Sequence, residues 1–316
     1  MIETRHVGPE SAAEVLAVVK AAFADRPVLD PPADALAETE ETVAAMLAPA
    51  GGLLVTDEGR PVGTVVLDPV AGPDRPDGPV EAVYLRRFGI DPAAQGRGLA
   101  RELVRAGLRE AARLRARRVV ILAREELPRT IRFWREMGFV EVARHAPYVE
   151  MARPAPVLVD VASADAMRDL GQRVAGHLRR GDVLVLSGEL GAGKTTFTQG
   201  LGEGLGVRGQ VTSPTFVIAR VHPSLGAGPS LVHVDAYRLG GRAELDDLDL
   251  DADLDDGVTV VEWGAGIAEG LSSTRLEIRI ARATAATDID PEADPRVVEI
   301  DALGARWLEA DLSSLR

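Results

Sequence analysis

The octapeptide Gly188-Glu189-Leu190-Gly191-Ala192-Gly193-Lys194-Thr195 constrains this chain more than any other stretch. It fits the spacing G-x-x-x-x-G-K-[ST], and the chain's own residue frequencies give roughly 0.002 such matches by chance. An apolar run, Val183–Ser187, precedes it, and Lys194–Leu205 reads as a helix. A strand–turn–helix of this kind points backbone N–H groups at a β-phosphate, and its glycines permit the close approach. The spacing lets Lys194 reach the β- and γ-phosphates and the Thr195 hydroxyl hold Mg²⁺, with Thr196 next in the same turn. The lysine is conspicuous in itself. Of 36 basic side chains only Lys20 and Lys194 are lysine, the others being arginine. A forked guanidinium fits badly where a compact ammonium must reach phosphates.

The chain has 316 residues, enough for two domains with separate cores. It has no cysteine, which excludes disulfides, zinc ribbons, iron–sulfur clusters and a thiol nucleophile. No run of about 18 apolar residues occurs and the start lacks an apolar leader core, so no membrane role and a cytoplasmic location are expected. The net charge of −13 argues against broad electrostatic binding of nucleic acid. Two prolines in the segment 152–156 cannot continue a ladder, so the expected domains are 1–152 and 153–316.

In the first part, Ser11-Ala12-Ala13-Glu14 reads as a capping box before a helix, with a second helix over 34–47. Strands are expected at 52–56 and 61–67 around a hairpin turn, then at Val80–Ile90. A long amphipathic helix follows over 98–116 with Leu99, Leu103, Leu108 and Ala111 inward, then a strand at 119–123, a helix at 128–137 and strands at 139–143 and 148–151. In the second part a helix spans 163–178. Strands after the glycine-rich loop are expected at 216–221, 231–235, 258–262, 276–280 and 297–301. Early alternation of strands and helices implies a parallel core, and the later strands an antiparallel extension.

Phosphate chemistry in such a site needs a carboxylate for the metal and a group to orient the attacking atom. Asp235 and Glu262 end apolar runs, at the edge of a parallel sheet where ligands bind. The ordered segments SGELGAGKTTFTQGLGEGLG, VTSPTF, HVDAYRL and VVEWG, over about 157–301, resemble the TsaE family of bacterial tRNA-modification ATPases. The resemblance implies ATP hydrolysis in biosynthesis of N6-threonylcarbamoyladenosine, with TsaB and TsaD as partners and tRNA met indirectly. It implies that Thr195 and Glu262 hold Mg²⁺, that Asp235 lies near the γ-phosphate, and that Ser213-Pro214-Thr215 is a switch-like loop. Gly264 departs from the proline common in that family. The acidic segment 244–256 imitates a Ca²⁺ loop, but its glycine is one place late, and a solvated or partner-facing surface is the simpler reading.

In the first part, Gln95-Gly96-Arg97-Gly98-Leu99-Ala100 fits [QR]-x-x-G-x-[GA], a pattern expected about once by chance here, so its position at a helix start carries the argument. Together with Phe133-Trp134-Arg135-Glu136-Met137-Gly138-Phe139 it resembles the GNAT acetyltransferase superfamily over 1–151. The resemblance implies acetyl-CoA, with Gln95 to Ala100 at the pyrophosphate and Phe88 and Ile90 on the strand along the pantetheine arm. Trp134 stands where the family often has a tyrosine that serves as the acid, and its indole N–H is not acidic enough to replace it. Glu81 is the expected base, with Glu125, His145 and Tyr148 behind it. The arginines at 109, 113, 115, 117 and 118 suit a solvated helix face better than CoA phosphates or RNA. The fold class expected is α/β in two domains: a GNAT-like α+β mixed sheet, then a P-loop NTPase α/β sheet with an antiparallel extension. The alternative function is a P-loop small-molecule kinase carrying a non-catalytic CoA-binding or scaffolding domain.

Overall fold

The structure, a computed structural model, describes residues 1–27, 29–72, 80–247, 255–283 and 295–316. The chain divides into two compact units, Met1–Ala155 and Pro156–Arg316. Most of the acidic segment 244–256 lies outside the described residues. No described helix is long and apolar enough to cross a membrane.

In the first unit β1 (Ile2–Val7), β2 (Gly52–Asp57), β3 (Arg60–Ala71), β4 (Val80–Ile90), β5 (Arg118–Arg124), β6 (Val140–His145) and β7 (Tyr148–Pro154) form one sheet, in the order β1-β2-β3-β4-β5-β7-β6. Among the described residues of this unit only β4 and β5 pair in parallel. Alternation along the strands feeds two cores. Leu53, Val55, Val65 and Leu67 pack with the helices α3 (Leu99–Arg113) and α4 (Pro128–Glu136). Leu54 and Val66 face α1 (Ala12–Ala24) and α2 (Glu40–Leu47). The hairpin turn is Glu58-Gly59, with φ of 51° and 80°, the left-handed pair that matches strand twist.

Three local expectations change. Ser11 precedes α1, but its side chain caps nothing, because a 3₁₀ turn over Pro9–Ser11 already carries it into a helix-like conformation. Arg5 instead takes Glu14 at 2.6 Å and reaches the Ser11 hydroxyl at 3.4 Å. A capping box does form, between Thr39 and Thr42, so the helix expected over 34–47 is a 3₁₀ turn followed by α2. β7 also runs through Pro154 rather than stopping before the prolines, since a proline at a strand's last position gives up little pairing.

The second unit holds β8 (Val157–Val161), β9 (Val183–Ser187), β10 (Ala219–His222), β11 (Ser230–Asp235), β12 (Gly257–Glu262), β13 (Arg275–Arg282) and β14 (Arg296–Leu303). Their order is β10-β11-β12-β9-β13-β14-β8. The parallel core is β11, β12, β9 and β13, and β10, β14 and β8 are antiparallel to their neighbours. The core strands read as unbroken apolar runs because both faces are covered. Leu184, Leu186, Leu231, Val258 and Val260 pack with the helices α5 (Ala164–Ala175) and α6 (Lys194–Leu205). Val183, Val185, Val232, Val234 and Val261 form the other face, together with Leu245 of α7 (Arg242–Asp246). The strand expected over 216–221 begins only at Ala219. The N–H groups of Val217 and Ile218 turn back to the Pro214 carbonyl, and Phe216 stands 88% exposed.

Candidate functional sites

Alternation on β11 and β12 puts His233, Asp235 and Glu262 on the face that α6 covers. Asp235 and Glu262 are paired in register at the two strand ends. The loop 188–193 leaves β9 and enters α6 through Gly193, whose φ of 107° a larger residue would adopt only under strain. No side chain caps the start of α6, so its first-turn amides suit an anion. Leu190 is 82% exposed at the loop's outer edge, and Thr196 is half-buried in the first turn.

The Lys194 ammonium is buried against its own loop. It donates to the carbonyls of Gly188 and Glu189, each at 2.9 Å, and lies 3.6 Å from the centre of the Trp263 ring. Trp263 has a left-handed φ of 60° and its ring meets that of Tyr237. Burial draws the Lys194 pKa below the usual lysine value, with Glu262 and Asp235 acting in the opposite sense.

Glu262 is 2% exposed, and three donors hold it: Thr195 Oγ1 at 3.0 Å, His233 Nε2 at 2.8 Å and, at 3.3 Å, Thr198 Oγ1, whose proton is shared with the Lys194 carbonyl at 3.0 Å. Two hard oxygens 3.0 Å apart, one each from Thr195 and Glu262, match an edge of a Mg²⁺ octahedron, which at bonds of about 2.0–2.1 Å is roughly 3 Å long. These residues therefore fit the ion. Asp235 accepts from the Ser213 hydroxyl at 3.1 Å, from the Thr215 hydroxyl and from the Tyr237 amide at 3.0 Å. Sequence reasoning placed Thr195, Ser213, Thr215, Asp235 and Glu262 in one site, and the fold brings them together. It missed Thr198 and His233. Their signals were available: Thr198 lies one helical turn beyond Lys194, and His233 is two residues before Asp235 on the same strand face.

The first unit's site grows from a parting of strands. β4 and β5 pair only from Ala82↔Arg118 to Tyr84↔Val120, and beyond Tyr84 they diverge. A bulge in the β3–β4 ladder and the left-handed Arg87, φ 51°, turn the end of β4. A cavity of about 460 Å³ lies along Phe88–Ile90 and reaches Gln95, Gly96, Gly98, Leu99 and Ala100. Gly98, φ 79°, starts α3 without a side-chain cap, as Gly193 does α6. Arg97 does not line this cavity; its guanidinium pairs with Asp57 at 2.6 Å. A second cavity, of about 250 Å³, adjoins the first and is lined by Tyr84, Arg86, Arg87, Arg124 and Tyr148 among others. Arg26, Phe88, Thr130 and Trp134 line both.

Of the acid–base candidates Tyr148 lines one of these two cavities, and Glu81, Glu125 and His145 line neither. Glu81 lies near the opposite end of β4, engaged by Arg117 at 3.5 Å and Arg118 at 3.6 Å, because the strand carries it away from the point of divergence. Glu125 pairs with Arg144, and His145 is exposed. Trp134 is buried, edge-on to Phe88 and Phe139. Arg113 pairs with Glu110 on α3, but the expected helix face does not extend to Arg115, Arg117 and Arg118, which lie beyond the end of α3, the last two engaging Glu81.

Residues 161–289 match the family model for threonylcarbamoyl adenosine biosynthesis protein TsaE. A TsaE of Streptomyces coelicolor is 63% identical over 150 residues, covering 47% of this chain and 99% of that protein. The chain belongs to the TsaE family. Its TsaE domain is joined to a second one, for residues 18–139 match the acetyltransferase (GNAT) family model. Among solved structures, Bacillus subtilis YdiB is 34% identical, with a TM-score of 0.38, over 48% of this chain and 88% of that one. The Escherichia coli ribosomal-protein-S18-alanine N-acetyltransferase is 17% identical, with a TM-score of 0.40, over 49% of this chain and 94% of that one.

Proposed function

We propose that this TsaE-family chain is a fusion of two enzymes. The second domain hydrolyses ATP in N6-threonylcarbamoyladenosine biosynthesis, with TsaB- and TsaD-like partners and tRNA met through them. The first transfers acetyl from acetyl-CoA to an amine. Both act in the cytoplasm, and the two enzymes are the units Met1–Ala155 and Pro156–Arg316, a boundary three residues later than the expected one because β7 runs through Pro154. The observation that carries the ATPase reading is the convergence of Lys194, Thr195 and Glu262 beneath an uncapped helix start.

In this reading the amides of Gly188 to Thr196 and the Lys194 ammonium hold the phosphates. Thr195 and Glu262 would hold Mg²⁺, which supplies charge neutralisation when bound. His233 and Thr198 fix the Glu262 carboxylate. Asp235, tethered through Ser213 and Thr215 to the switch-like loop, orients the attacking water. The family match gives no support to the kinase alternative, which would yield a phosphorylated metabolite instead of free phosphate.

In the first domain Gln95–Ala100 would hold the cofactor's phosphates and Phe88 and Ile90 its pantetheine arm, and the acceptor would enter through the smaller cavity. The amine nitrogen attacks the thioester carbonyl carbon, an N–C bond forms as the C–S bond breaks, the nitrogen loses its proton to solvent, and the departing thiolate takes one from a protein hydroxyl. Tyr148 is the hydroxyl we assign to that protonation, since Trp134 has none. Calorimetry on the full chain tests both halves. Wild type should bind ATP–Mg²⁺ and acetyl-CoA, and Lys194→Ala should weaken ATP by about 100-fold while leaving acetyl-CoA unchanged. Equal ATP affinity in the variant sinks the ATPase reading; no binding of acetyl-CoA sinks the other.

A further inference from the structure

Four arginines line the smaller cavity of the first domain, and three have carboxylates built against them. Arg86 pairs with Asp68 and Arg87 with Glu38. Arg124 pairs with Glu126 at 2.8 Å and donates to the carbonyls of Pro31 at 2.8 Å and Asp30 at 3.1 Å. Arg26 differs. Its guanidinium stacks on Phe23, 3.6 Å from the ring centre, and gives one long hydrogen bond, 3.3 Å, to the Phe88 carbonyl. Among the described residues no carboxylate pairs with it, although Asp25 lines the larger cavity and Asp34 the smaller. Burial alone lowers its pKa, with no acidic neighbour acting against that.

A guanidinium has five N–H donors in a planar fork suited to a carboxylate. Arg26 follows α1 and lines both cavities, its guanidinium reaching the Phe88 carbonyl where β4 turns. A cation that is half-buried, stacked and left without a protein anion at such a junction is placed for an anion carried by a ligand. We propose that Arg26 binds a carboxylate of the acceptor, so that the acetyl group goes to a primary amine that itself bears a nearby carboxylate. The proposal rests on the acetyltransferase reading and names its substrate class. A cofactor phosphate is the competing source of negative charge, because the larger cavity also reaches the Gln95–Ala100 loop.

The test measures acetyl transfer by the full chain to matched amines with and without the carboxylate: glycine against glycinamide, β-alanine against β-alaninamide, and Glu-Gly-Gly-amide against Gln-Gly-Gly-amide. Acetyl-CoA binding is followed in parallel. At least one carboxylate-bearing amine should exceed its neutral match in kcat/KM by about 10- to 100-fold. Arg26→Gln should remove that preference through KM, Arg26→Lys should keep part of it, and acetyl-CoA affinity should stay within about twofold. Equal or better transfer to the neutral amines overturns the proposal, as does cofactor binding with no transfer to any carboxylate-bearing amine. A loss of acetyl-CoA affinity in Arg26→Gln also overturns it, by assigning the residue to a cofactor phosphate. Failure of wild type to bind acetyl-CoA refutes instead the reading on which the proposal stands.

Discussion

Replacing Gly200 by alanine sets two effects of opposite sign against each other. Gly200 lies in the middle of α6, where alanine gains about 1 kcal/mol in helix propensity over glycine. A Cβ built there, however, would sit 2.0 Å from the carbonyl oxygen of Arg168 and 2.7 Å from its Cα, on the facing helix α5. Gly171 meets α6 in the same way from the other side, 2.3 Å from the Phe197 carbonyl oxygen. The atoms met are backbone, so no rotamer change relieves the overlap, and the helices must separate. Core overpacking costs about 1–3 kcal/mol, and a clash between backbones belongs at or above the upper end. We therefore expect a net loss of about 2 kcal/mol or more, which for a unit of this size is a fall in Tm of at least about 4–8 °C. In differential scanning calorimetry of the full chain, the transition to follow is the one that ATP–Mg²⁺ raises, since a ligand stabilises only the unit that binds it. Because α6 carries Lys194, Thr195 and Thr198, ATP affinity should fall together with Tm. Gly107→Ala in α3, whose new methyl would meet only the end of the Leu85 side chain at 3.3 Å, serves as the control and should cost far less. A Gly200→Ala protein melting at or above wild type would refute the claim that close approach, not helix propensity, decides this position.

Two further outcomes follow from the buried histidines. His233→Ala removes one of the three donors on Glu262, so the Mg²⁺ needed for half-maximal ATPase should rise about 10-fold while metal-free ATP binding is unchanged; an unaltered Mg²⁺ titration counts against a positioning role. Burial, with His233 nearby, lowers the pKa of His222 below its ordinary 6.5. The unfolded chain then binds more protons, so this contribution to stability is complete above about pH 6.5 and is lost as pH falls toward the lowered folded value. His222→Phe should flatten the fall in Tm between neutral pH and about pH 5.5, and an identical pH dependence would show that the group is not responsible.

What the sequence disclosed here follows the range of the interactions involved. α6 and β4 have the bounds read from spacing and apolar pattern, because glycine punctuation and local periodicity define them. β1 escaped notice because its residues are mostly exposed and polar, and pairing with β2 alone makes it a strand. β8 is five residues long and is recruited by β14, from the far end of the unit. The same holds for the sites. The octapeptide announced Lys194 and Thr195, whereas the hold of His233 on Glu262 depends on neighbouring strands more than twenty residues apart in the chain. The strand position that suggested Glu81 as a base said nothing of which end of β4 would face the parting of the strands. Ser11 lost its capping role to the 3₁₀ turn that precedes α1, and its hydroxyl is met instead by Arg5 of β1.

The contacts of Lys194 bear on how tightly a nucleotide can be held. A phosphate that recruits this ammonium does so by exchange, taking it from two carbonyl oxygens and the face of an indole. The lysine's net contribution to affinity is the difference between those partners and the phosphate, so Gly188, Glu189 and Trp263 act as an internal competitor that returns to the ammonium whenever the phosphate departs. Such a reversible seat favours turnover over tight product retention, and it places the indole of Trp263 where its emission would follow each exchange.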